Sequence, residues 1–214
     1  MATTIALAAV DYPTDYATLA LVRARLGITV EADTDDDTKI ESIITAVSRL
    51  IDNYCGRHFY VDSADATRYF TAEYSDLLEP GDLVSVTTLT SDGDGDRTYE
   101  TTWTVSTDYD LTPFNADDFS EPFTAIETTP AGRYVFPRGV KKGVCIIGKW
   151  GWPAVPKPVA EACMLQSERL FKRKDALFGV MGSGDMGQIM AIAKLDSDVE
   201  LLLRGYVKLR IGGP

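Results

Sequence analysis

Several residue sets have types and spacings that could do chemistry. Gly182-Ser183-Gly184-Asp185-Met186-Gly187 spells G-x-G-x-x-G, the pattern that cradles a pyrophosphate. That chemistry needs a strand before the glycines and a helix after them. Here the pattern predicts a helix before them, so the stretch reads as a mobile hinge. Asp92-Gly93-Asp94-Gly95-Asp96 spells the first half of a calcium loop. The sixth position of such a loop should be Gly and is Arg97; the twelfth should be Glu and is Trp103. A soluble hairpin tip is the better reading. His58 is the single histidine and reads as a surface or packing residue. Cys55, Cys145 and Cys163 are odd in number and far apart, with no C-x-x-C. They read as buried thiols, not as a zinc site or a disulfide framework. Acid pairs are plentiful, but none separates a raised-pKa acid from a wet surface. No catalytic constellation results, and no metal or cofactor is expected.

The elements that would position such residues are organised around one helix, Asp36 to Tyr54. Its stripe is Ile40, Ile43, Ile44, Val47, Leu50, Ile51 and Tyr54, on a 3.6-residue period. Thr34 to Asp37 offer oxygens for its first amides, and Gly56 suits its close. Lys39, Glu41, Ser42, Ser48, Arg49 and Asp52 form the face expected to stay wet. Before it, a helix is expected over Asp15 to Leu26, with Tyr16, Leu19, Ala20, Arg23 and Leu26 along one side. After Gly56 the period changes to two. Strands are expected at Ala66–Tyr74, Leu83–Thr90, Tyr99–Ser106, Asp108–Leu111, Ala125–Thr129, Arg133–Phe136 and Val144–Trp150. The prolines from Pro153 to Pro158 make a stiff crossing into a helix over Val159 to Phe178. Its apolar side, with Cys163 and Leu170, is the natural partner of the central stripe. A capping box at Ser197-Asp198-Val199-Glu200 opens a last short helix.

The fold class is therefore α+β: a helical bundle built from both chain ends with an inserted antiparallel β module. The expected division is residues 1–56, 57–150 and 151–214. The expected bundle core is Ile40, Ile43, Ile44, Val47, Leu50, Ile51, Cys163 and Leu170.

The chain has 214 residues and a net charge of −11, unevenly spread. Met1 to Pro130 holds 25 acids and 7 bases; Ala131 to Pro214 holds 7 acids and 14 bases. Opposite charge on the two parts suits head-to-tail association. So acidic a chain does not look like a tight nucleic-acid binder, since that requires bases facing phosphates. No apolar run approaches the roughly 20 residues that span a bilayer. Ile5 to Val10 makes a poor signal peptide, so the protein is expected to stay in the cytoplasm where it is made.

Three stretches, in order, resemble the head–tail connector (adaptor) proteins of long-tailed bacteriophages. The first is the acidic turn Asp35-Asp36-Asp37, the helix Ile40 to Ile51, and the close Asn53-Tyr54-Cys55-Gly56-Arg57-His58-Phe59. The second is Leu83-Val84-Ser85-Val86-Thr87-Thr88-Leu89. The third is Lys149-Trp150-Gly151-Trp152-Pro153, then Val155-Pro156 and the helix from Val159. Asp92 to Ala131 and the tail after Phe178 are longer than the family's pattern.

The resemblance implies a non-enzymatic virion protein made in the host cytoplasm and placed in the neck. Copies would form a cyclic homo-oligomer, twelvefold in the virion, under the portal protein. The ring would extend the DNA channel, let DNA pass through without specific binding and dock a stopper or tail-completion protein. No membrane contact is implied. Under that reading Asp33, Asp35, Asp36, Asp37, Asp92, Asp94 and Asp96 are candidates for an acidic channel wall that repels phosphates. Lys208, Leu209, Arg210 and Ile211 are candidates for docking on the portal. The competing readings are another neck protein, a stopper or tail terminator, and a small cytoplasmic hydrolase using carboxylates and a metal.

Overall fold

The computed structural model describes residues 14–28, 34–173 and 195–208. They fall into two compact units. One draws on Met1–Gly56 and Pro156–Pro214; the other is Arg57–Val155. The architecture is α+β, with helices from both ends of the chain and antiparallel strands between them.

The helical unit contains α1 (Leu19–Leu26), α2 (Asp37–Cys55), α3 (Lys157–Lys172) and α4 (Ser197–Leu203). α2 ends at Gly56, whose φ of 68° is left-handed and whose amide donates to Asp52 O at 2.8 Å. Its start is capped less by side chains than the sequence suggests. Asp36 makes no side-chain capping bond, and the Asp37 amide donates to the Thr34 carbonyl instead. α2 buries Ile40, Ile44, Val47, Ser48, Ile51 and Cys55 against α3, which buries Val159, Ala162, Cys163, Gln166, Ser167 and Phe171. The spacing of three and four makes one narrow seam on each helix.

Ser48 is the correction that matters most. It belongs to this seam and is fully buried, not wet. It stands four residues after Ile44 and eight after Ile40, so the period carries it inward whatever its polarity. Its Oγ donates to Ile44 O at 2.8 Å, accepts from the Tyr16 amide at 3.1 Å and lies 3.6 Å from Cys163 Sγ. One hydroxyl thus ties α2, α3 and the segment before α1. Burial pushes the Cys163 thiol up to about 11, so it stays protonated and inert. Leu50 is the opposite correction: it is 40% exposed. It precedes Ile51 by one residue, about 100° round the helix and off the seam. Ile43 and Leu170 are half-buried. On α1, Val22 is buried while Ala20, about 200° round the helix from it, is exposed, and the helix starts at Leu19 rather than Asp15.

Ion pairs fasten the edges. Arg25 of α1 reaches Glu161 and Glu168 of α3, both at 2.7 Å. Arg23 pairs with Asp37 at 2.5 Å. Lys172, then Arg25, hold the Glu168 carboxyl below its ordinary value, against the opposing effect of burial.

The second unit has two sheets. One runs β1 (Ala66–Phe70), β7 (Val144–Trp150), β3 (Leu83–Ser91), β4 (Thr101–Trp103); the other runs β2 (Leu77–Leu78), β6 (Ala125–Thr128), β5 (Tyr109–Thr112). All named pairings are antiparallel. Leu78, Leu83, Leu89, Ile126, Ile146 and Trp150 are among the buried residues of their common core. Arg133–Phe136 is not a strand. Phe136 leaves the ladder to stack on Trp103, with centroids 4.7 Å apart. β3 meets β7 through two register shifts. Gly148 permits this, since a Cβ there would lie 2.1 Å from Ser85 O.

Two outcomes follow for urea unfolding. Ile44→Ala is expected to lose about 2–5 kcal/mol and Leu50→Ala no more than about 0.5. Equal losses would contradict the seam assignment. Glu168 has a depressed folded pKa, so its contribution is present above the ordinary 4.5 and lost as pH falls through the lower folded value. Glu168→Gln should therefore flatten the acid limb of the stability–pH curve and lower its plateau.

Candidate functional site

Two of the motif stretches meet in space inside the second unit. Arg57-His58-Phe59-Tyr60 follows α2, and Trp150-Gly151-Trp152 follows β7. The Asp62 amide donates to Trp150 O at 2.9 Å, and the Trp152 amide to Tyr60 O at 3.2 Å. Phe59 is fully buried, with its ring 5.3 Å from that of Trp152. Gly151 is the residue that lets the two segments approach. Its φ is +103°, and a Cβ there would sit 1.9 Å from Tyr60 O and 2.7 Å from His58 Nε2. Arg57 pairs with Asp82 at 3.4 Å and lies 5.9 Å from the Trp152 ring centroid.

His58 rests on Tyr60, with centroids 4.5 Å apart, and its Nε2 is 3.6 Å from Asp62. The ring is half-buried and engaged in packing. This junction builds a corner in which Arg57 Nε and His58 Nε2 are buried without a hydrogen-bond partner.

The acidic turns divide on inspection. Asp92, Asp94 and Asp96 bring carboxylate oxygens within 4.8 Å of one another. Asp92 is fully buried, and its oxygens accept from the amides of Gly95 (2.7 Å) and Arg97 (2.9 Å). Burial disfavours its charge, but those amides outweigh it and hold the carboxyl below the usual range. Asp92 therefore caps its own hairpin and cannot face a channel, which corrects that expectation. Asp94 and Asp96 are exposed, and so is Asp35. Asp37 is neutralised by Arg23, and Asp36 pairs with Lys39 at 3.0 Å. Asp33 lies outside the described residues.

The last described residue is tied to α2. The Lys208 amide donates to Cys55 O at 2.8 Å, while the residue itself is exposed. Leu209, Arg210 and Ile211 lie outside the described residues, as does the Gly179–Gly187 stretch. α4 is capped by Asp196, whose side chain accepts from the Asp198 amide at 3.0 Å, and not by Ser197. Val199 and Leu203 of α4 are fully buried. Among the described residues no helix is long and apolar enough to cross a membrane.

Residues 16–79 match the family model described as Phage gp6-like head-tail connector protein. Over that segment the chain is similar to the head–tail connectors. The connector segment takes in α1, α2, the first arm of the motif junction and the strands through β2. Two solved structures share the fold. One is titled "Neck of empty GTA particle computed with C6 symmetry": 20% identity, 92% of this chain, 91% of that chain, TM-score 0.52. The other is titled "Virion of native gene transfer agent (GTA) particle": 19% identity, 92% and 91% covered, TM-score 0.50. No curated protein matches the chain.

Sequence reasoning missed Ser48 and Asp92 because both are polar. The spacing from Ile44 signalled the first; nothing local signalled the second. Gly151→Ala is expected to destabilise the β unit by more than the roughly 1–3 kcal/mol of backbone strain alone, since its Cβ also meets Tyr60 O. Near-ultraviolet circular dichroism from Trp150 and Trp152 would report the loss. An unchanged spectrum and midpoint would contradict the junction.

Proposed function

We propose that this chain is a non-enzymatic structural protein of a phage-like neck, a head-to-tail adaptor. In this reading copies form a closed ring under the portal, extend the DNA channel and present a platform to a stopper or tail-completion protein. The observation that carries it is the connector match over 16–79, whose α2 is closed by α3 from the far end of the chain. The neck titles of structures sharing the fold, one of them computed with C6 symmetry, favour a ring. Twelve copies is the expectation carried over from the resemblance.

A ring needs one patch to meet a different patch on the next copy. The opposed charges of the two parts of the chain suit this. A net charge of −11 suits a passage through which DNA slides. The candidates for the channel wall are now Asp33, Asp35, Asp94 and Asp96. Lys208 with Leu209, Arg210 and Ile211 is the proposed portal-docking segment.

Negative-stain microscopy with and without the cognate portal tests the reading. Rings coaxial with the portal are expected; protein that stays dispersed beside the portal would overturn it. The tail is tested by ending the chain after Lys208. A cut after Ala193 would strip α4, with Val199 and Leu203, from the bundle. The shorter cut should leave the urea midpoint unchanged and abolish joining to the portal. Retained joining would sink the tail assignment alone.

A further inference from the structure

α2 carries a second apolar stripe beside the seam it turns to α3. Ile43, Ala46, Leu50 and Tyr54 are spaced by three, four and four, so they share one face. Ile43 is half-buried and Ala46 exposed, while Leu50 is 40% and Tyr54 38% exposed. The stripe itself carries no charge. Arg49 and Asp52, the charged residues between Ile43 and Tyr54, stand on other flanks of the helix and pair with each other at 3.3 Å. A contiguous exposed apolar stripe of this kind marks a docking surface.

The place where the chain returns to α2 selects the occupant. The Lys208 amide donates to Cys55 O at 2.8 Å, and a Cβ on Gly56 would lie 3.8 Å from Lys208 Cβ. The chain therefore leaves Lys208 beside the turn that holds Tyr54. The sequence then reads Leu209-Arg210-Ile211-Gly212-Gly213. Alternate residues of an extended chain advance about 6.6 Å, and residues four apart on a helix advance about 6 Å. Leu209, Ile211 and Gly213 thus match Tyr54, Leu50 and Ala46 in order, with the small residues paired last. Charge agrees. α2 has no base in its last turn, where the helix dipole favours positive charge. Leu201 to Pro214 holds Arg204, Lys208 and Arg210 and no acid. So short a tether holds the segment at a local concentration on the order of millimolar, and a weak contact then suffices.

We propose that Leu209 and Ile211 lie back on the Leu50–Tyr54 stripe of their own α2, so that a free copy carries its portal-docking segment covered and releases it on joining the portal. The cover rests on the geometry at Cys55; its release rests on the adaptor reading. Two half-exposed partners hold loosely enough to exchange. Segment and stripe shield each other until then, which keeps apolar surface of unassembled copies from meeting.

The test uses the full-length protein carrying Ala46→Cys and Gly213→Cys; Cys55, Cys145 and Cys163 are buried and stay out of the reaction. Disulfide closure within the monomer is timed in a glutathione buffer by gel mobility and mass spectrometry. The control is the same chain with Leu209→Ser and Ile211→Ser, which keeps the tether and removes the apolar side chains. Both serines lie beyond the described bundle, so its folding does not depend on them. Closure is expected about tenfold faster in the parent than in the serine chain. Equal rates would mean that tethering alone brings the cysteines together, and would overturn the cover. Disulfide-linked dimers in place of closed monomers would also overturn it, since a second copy would then be the occupant. Portal joining separates the two readings. The closed protein should join the cognate portal at least tenfold less than the same protein after reduction. Equal joining by both forms leaves the adaptor standing and the release wrong. Fast closure with no joining by either form leaves the cover standing and the adaptor wrong.

Discussion

The structure depends on the closure of α2 over α3, two helices separated by the entire β unit in sequence. Burial of their two seams supplies the attraction, since hydrophobic burial is the main favourable term in folding. The Ser48 hydroxyl fixes the register by joining Ile44, Tyr16 and Cys163. A buried hydroxyl tolerates little misplacement, because losing a partner leaves a desolvated group unpaired. The closure also explains why the chain can carry so long a β unit: Gly56 and Pro156 mark its exit from and return to the bundle.

Much of this was legible in the residues. α2 could be read because nineteen residues hold one period, and the switch to alternation after Gly56 gave the α+β class. Strands of full length were found for the same reason. The errors have physical causes. Polarity alone puts Leu50 inward and Ser48 outward, whereas the helical angle puts Ser48 on the seam and Leu50 off it. Leu77–Leu78 is too short for any period to register. Phe136 has strand-like neighbours, but its ring is recruited by Trp103, a partner far off in sequence. Asp92 looked like surface charge, and only the folded hairpin reveals the amides that take up its oxygens.

The functional reading follows the same division. The motif residues that resemble connectors are largely structural: Gly151, Phe59 and Trp152 make the corner that returns the chain from β7 towards Pro156. A pattern of that kind identifies a scaffold, and function then lies in what the scaffold exposes.

Native-state hydrogen exchange of the full-length protein, followed at rising sub-denaturing urea, tests the central closure most directly. Amides in the buried turns of α2, around Val47 and Ile51, and of α3, around Cys163 and Ser167, should converge on one opening free energy and open together. Exchange of the α2 amides through a lower-energy opening while α3 stays protected would contradict the account.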